Sequence, residues 1–144
     1  LAGLGALLLE RGDIEGALRH IGRAADLAPH DPMIQMLLGR AFLARRTPAF
    51  AERAFANALR LRPNLHQARY LLATLLPPQK RYEEAEAHFR QLVDAPGFAV
   101  VGHIGVADVA RAQNRFEDAV AAYRAASAVA PLPAAAVLAL ATSL

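Results

Sequence analysis

Apolar residues along this chain return at a fixed step of 34 positions. Ala17, Ala51, Ala85 and Ala119 share one place in that step, Ile21, Phe55, Phe89 and Tyr123 a second, and Ala24, Ala58, Leu92 and Ala126 a third. Pro29, Pro63, Gly97 and Pro131 close each unit. Self-similarity at a period of 20–50 residues is the signature of a repeat architecture. Each unit reads as two helices packed antiparallel, with small residues letting the backbones approach and large ones filling the gap beside them. The expected helices span about 1–11, 14–28, 32–45, 48–61, 65–76, 82–94, 99–113, 116–129 and 133–143. Asp31 before Pro32 and Thr47 before Pro48 are N-cap residues followed by proline at the first helical position, and Asp13 and Asn64 are further cap candidates. Pro77 and Pro78 should cut one helix about a turn short, because proline lacks the amide donor and clashes with the preceding turn, leaving a bulged loop over 77–81.

The period and its small, large, small and closing-proline places resemble the tetratricopeptide repeat, and the resemblance covers the whole chain. The family expects a large, a small and another large apolar residue in the first half of each unit. Those places hold Leu4, Gly5 and Leu8; Leu38, Gly39 and Phe42; Leu72, Ala73 and Leu76; and Val106, Ala107 and Ala110. The family's tryptophan is replaced throughout, by Leu1, Gln35, Arg69 and His103. The resemblance implies an all-α, right-handed superhelical solenoid of antiparallel helix pairs forming one array over 1–144. Its repeats would run over about 1–31, 32–65, 66–99 and 100–133, with 134–144 as the first helix of a fifth repeat or a terminal helix. An apolar last helix and a start inside a first helix suggest a segment of a longer protein or an oligomer, since free-standing solenoids carry terminal units with a polar outer face.

Composition narrows the chemistry. With 55% hydrophobic residues a sizeable core is available, and with no cysteine there is no disulfide, thiolate nucleophile or cysteine metal site. No apolar run reaches the length of a membrane span, so no membrane insertion is expected, and either a cytoplasmic or a periplasmic setting fits, the cytoplasm slightly the better. Basic residues are nearly all arginine, with Lys80 the only lysine, a bias in keeping with a GC-rich bacterial genome.

Catalytic and cofactor chemistry finds no carrier. Ser127 and Ser143 lie outside a nucleophile-elbow setting. Glu83, Glu84 and Glu86 open a helix, where acids favour the positive end of the dipole. The nearest approach to a metal pair is Glu84 with His88 one turn on, without a third ligand, and a hydrogen bond on the helix surface is the plainer role. Gly3 with Gly5, and Gly102 with Gly105, do not follow a strand as a phosphate loop requires and fit close helix packing instead. No enzyme activity, cofactor or metal is expected of this chain.

In the resembled family the first helix of each repeat lines the concave surface. Carried across, that face comprises Ala2, Ala6 and Leu9, then Met33, Met36, Arg40 and Leu43, then Gln67, Tyr70 and Thr74, and finally Val101, Ile104, Asp108 and Arg111. The carboxylate-gripping Lys, Asn and Arg of one subset of the family are absent, their places taken by Ala2, Ala6, Leu37, Gln67 and Leu71. A rather apolar face with Met36, Tyr70 and Arg40 suits an amphipathic helix or an extended apolar peptide. The stretch 40–69 holds seven arginines against one acid, Glu52, but spread over several helix faces without an aromatic platform, so nucleic acid is not expected. The expected function is a protein-binding scaffold of unidentified partner. The alternatives are the repeat segment of a larger bacterial enzyme, such as a sulfotransferase or glycosyltransferase, or of a periplasmic exopolysaccharide export or envelope assembly protein.

Overall fold

The computed structural model describes residues 2–144; Leu1, one of the tryptophan replacements, lies outside the described residues. All regular structure among them is helical: α1 (Ala2–Glu10), α2 (Ile14–Leu27), α3 (Pro32–Ala44), α4 (Pro48–Leu61), α5 (His66–Leu75), α6 (Tyr82–Val93), α7 (Ala99–Ala112), α8 (Phe116–Val129) and α9 (Ala134–Ser143). The helix limits follow local chemistry. Asp13 and Asp31 accept from the amides of Gly16 and Met33, each at 3.0 Å, and so cap α2 and α3. Thr47 precedes Pro48 as expected, yet its hydroxyl donates backwards to the Phe42 carbonyl at 3.1 Å and ties the turn instead of capping α4. Asn64 sits in the preceding turn, because α5 begins only at His66.

The two helices of each pair are joined by the same turn. Gly12, Arg46, Lys80 and Asn114, 34 positions apart, all take a left-handed backbone with φ of 84°, 64°, 59° and 60°. Each donates its amide three residues back, and the following residue donates five back: Asp13 to Leu8, Thr47 to Phe42, Arg81 to Leu76 and Arg115 to Ala110. That pair of bonds is the Schellman closure of a helix C-terminus. The diproline ends α5 at Leu75 as anticipated and recasts the last turn as a 3₁₀ turn over Pro77–Gln79, but closure at Lys80 follows the same hydrogen bonds as the other three turns.

The chain divides into two compact units, Leu1–Ala68 and Arg69–Leu144. In the first, Ala17, Ile21 and Ala24 of α2 meet Ile34 and Ala41 of α3, with Leu8 and Leu9 of α1 packed alongside. The small residues have a visible purpose: a methyl at Gly5 would run into Ile21, and one at Gly39 would lie 2.6 Å from the Phe55 ring. In the second unit Ala73, Leu76, Ala85, Phe89, Leu92, Val106 and Val109 form one core, and Ala107, Ala110, Ala119, Tyr123, Ala136 and Ala139 another. Gly105 sits on the Phe89 ring, and a methyl at Gly102 would come 2.7 Å from the Val93 amide nitrogen, so α6 and α7 touch backbone to backbone. Gly3 departs from the close-packing expectation, since nothing lies near it.

Candidate functional site

In the first unit, Met33 and Arg40 of α3 are exposed and Leu43 is half-buried, the 7- and 3-residue spacing keeping them on one side of the helix. Met36 corrects the expectation: only 8% exposed, it belongs to the interior packing and offers nothing to a partner. Gln67 is exposed near the start of α5. In the second unit Tyr70 is half-buried and packs against the core around Phe89, so its ring is partly committed to the fold. Thr74 is exposed and returns its hydroxyl to the Leu71 carbonyl at 2.7 Å.

Three of the expected residues are brought together. Ile104, Asp108 and Arg111 follow one another at four and three positions along α7 and line a cleft of about 670 Å³, completed by Phe116 of α8 and by Ala135, Ala136 and Ala139 of α9. Two separate hydrogen bonds mark its polar edge. The buried Tyr123 hydroxyl donates to the Asp108 carboxylate, and the Arg111 guanidinium donates to the Thr142 hydroxyl at 3.3 Å. Burial raises the Asp108 carboxyl, which the Tyr123 bond and the nearby Arg111 charge partly offset. Burial, followed by the bond to Asp108, pushes the Tyr123 phenol well up, so it remains a donor. The cleft thus pairs an apolar floor with a fixed carboxylate and a guanidinium at its rim. The contribution of α9 escaped the sequence reading because Thr142 and Arg111 meet across 31 positions. The available signal was the period, which sets Ala136 and Ala139 34 positions after Gly102 and Gly105.

The Glu84 and His88 pair is also revised. Glu84 pairs with Arg81 at 2.6 Å, and His88 accepts through Nδ1 from Arg69 at 2.9 Å, so the two do not bond each other. Among the described residues no cluster of three His, Asp or Glu side chains is placed to hold a metal ion. No helix among them is long and apolar enough to cross a membrane. Arg90, Glu86, Arg115 and Asp118 form an ion-pair chain joining α6 to α8, with contacts of 2.6, 3.4 and 3.3 Å.

Paired antiparallel helices on a 34-residue step, crossing small residue against large and leaving first-helix side chains exposed, define a helical repeat protein of the protein-interaction type. The sequence pattern of the tetratricopeptide repeat matches residues 3–52, 48–99 and 107–144, and the chain belongs to that family. The Komagataeibacter xylinus cellulose synthase 2 operon protein C is 30% identical over 94% of this chain, which spans only 12% of that protein. Among solved structures, MamA 41-end from Desulfovibrio magneticus RS-1 superposes with a TM-score of 0.88 at 23% identity, covering 98% of this chain and 80% of that one. YrrB, described as a TPR protein with an unusual peptide-binding site, superposes with a TM-score of 0.83 at 17% identity, covering 99% of this chain and 73% of its own. At these identities the two structures establish the fold.

Proposed function

We propose that this chain is a non-catalytic scaffold segment that receives a helix or extended peptide of another protein along the exposed side of its first helices. The four helix pairs are read as four repeats and α9 as the opening of a fifth. The observation that supports this most directly is the cleft on α7, where Ile104, Asp108 and Arg111 converge on an alanine-lined floor. Such a surface accepts an apolar side chain while Arg111 and Asp108 select its polar flank. A partner recovered from the native organism on the immobilised chain should lose at least about tenfold in affinity by calorimetry when Ile104→Glu and Arg111→Ala are combined, roughly 1.4 kcal/mol. The helical circular dichroism of that variant should be unaltered, and undiminished affinity would sink the site.

A second reading places this scaffold in exopolysaccharide assembly. It is favoured by the relative named for a cellulose synthase operon. Genes flanking the native reading frame should then encode polysaccharide synthesis, and a neighbourhood without them would remove the support.

A further inference from the structure

The turn between α3 and α4 departs from its three counterparts in charge. The other second helices open on acids, Glu15 in α2, Glu83 and Glu84 in α6, and Glu117 and Asp118 in α8, which suits the positive end of the helix dipole. At the same places α4 carries Ala49 and Phe50, and its first turn holds no acid. The Phe50 ring is 55% exposed, and it does not stand alone. It stacks on the half-buried Phe42 of α3, with ring centroids 5.3 Å apart and planes at 29°. The arginines of 40–69 offered no aromatic platform in sequence; the fold supplies one, because these two rings meet only once the turn closes. Arg45 and Arg46 follow Phe42 by three and four positions, and Arg53 follows Phe50 by three, so each departs from the backbone within a turn of a ring. All three are exposed. Arg45 pairs with Glu15 at 3.4 Å, a contact between exposed groups that is worth little, and among the described residues Arg46 and Arg53 make no ion pair. Glu52, half-buried and two positions from Phe50, lies on the far side of α4.

We propose that this patch docks an acidic segment of a partner polypeptide, with one apolar side chain laid against Phe50 and carboxylates on Arg46 and Arg53. Charge complementarity sets the sign: three guanidinium groups face outward against the single carboxylate of Glu15, and guanidinium is the cation that matches carboxylate geometry. Phe42 holds the Phe50 ring in place, so little freedom is lost when an apolar side chain settles on it. Aromatic residues and arginine are also the side chains in which protein interfaces concentrate their binding energy. The other acidic surfaces fit less well. Single-stranded nucleic acid asks for successive rings along a basic groove, whereas these two rings stack on each other. A lipid surface asks for a helix with an apolar side turned outward, whereas α4 buries Ala51, Ala54, Phe55 and Ala58 in the fold. The patch belongs to the first unit and does not depend on the α7 cleft of the second.

The probe is a fluorescein-labelled synthetic peptide of alternating aspartate and glutamate with one central leucine, titrated with the whole chain at low salt and read by anisotropy. Saturable binding is expected, weakened at least about tenfold by Phe50→Ser, by Arg46→Gln combined with Arg53→Gln, or by glutamine and asparagine in place of the peptide's acids. Ile104→Glu in the α7 cleft should leave it unchanged. All three patch substitutions fall on exposed positions, and circular dichroism verifies that each variant stays folded. Absence of saturable binding overturns the proposal, and so does binding that Phe50→Ser leaves intact, which would be charge attraction without a docking site. Phe50-dependent co-sedimentation with phosphatidylglycerol vesicles, or Phe50-dependent retention of oligothymidylate, in place of peptide binding would assign the patch to a membrane or a nucleic acid and overturn it equally.

Discussion

At the scale of single residues, the second unit holds a titratable contact whose direction is fixed by its geometry. His88 Nδ1 accepts from the Arg69 guanidinium at 2.9 Å, which requires the imidazole to be neutral. Burial depresses the His88 pKa below its ordinary 6.5, the Arg69 charge adds to that, and Glu84 opposes both. The unfolded chain therefore takes up a proton at a higher pH than the folded one, and stability is lost as pH falls through and below about 6.5. His88→Gln keeps an acceptor without the titration, so chemical denaturation at pH 7.5 and 5.5 should show a smaller drop for the variant than for the parent. An equal drop in both would remove His88 as the cause. None of this was legible beforehand, because the 3.6-residue period offered Glu84 as the partner while the contact made is 19 positions away. Met36 failed for the same reason. A family position says which side of a helix a residue occupies, and only the neighbouring helix decides how deep that side is buried.

Elements were far more legible than contacts. Among the described residues all nine expected helices coincide with the observed ones within about one residue at both ends, because proline and aspartate at helix starts act through bonds local in sequence; α5 starts at His66, one residue late, which leaves Asn64 outside its cap. The four left-handed turn residues were half-hidden: Gly12 and Asn114 favour that conformation, whereas Arg46 and Lys80 adopt it only because the packed pairs on either side demand it. The α6–α7 crossing exposes the competing terms. Alanine in place of Gly105 gains about 1 kcal/mol of helix propensity, but its methyl lands on the Phe89 ring, itself buried in the core and without room to turn aside. Overpacking of this kind costs about 1–3 kcal/mol. Gly105→Ala should therefore lower the denaturation midpoint, and Gly22→Ala, with nothing near the new methyl, should leave it level or raise it. A stabilised Gly105→Ala would show that the crossing is looser than its small residues imply.

For the molecule as a whole, the division at Ala68 and Arg69 bears on how a local lesion spreads. Repeat arrays behave as chains of units coupled to nearest neighbours, so damage should travel a limited distance. Gly102→Ala is the sharpest lesion available, because its methyl would stand 2.7 Å from the Val93 nitrogen and 2.9 Å from the Phe89 carbonyl oxygen. Backbone atoms cannot swing aside as a side chain can, so α6 and α7 must part, and α8 and α9 lose the surface they pack on. Hydrogen exchange read helix by helix should show α6 to α9 opening faster by at least about tenfold, which corresponds to 1.4 kcal/mol, while α1 to α4 keep their protection. Equal loss across all nine helices would mean that the chain opens as one cooperative body. The distinction reaches the function, because a scaffold whose second unit opens alone can lose the α7 cleft while the exposed side of α3 remains formed. Binding that survives Gly102→Ala would then have to reside on the first unit.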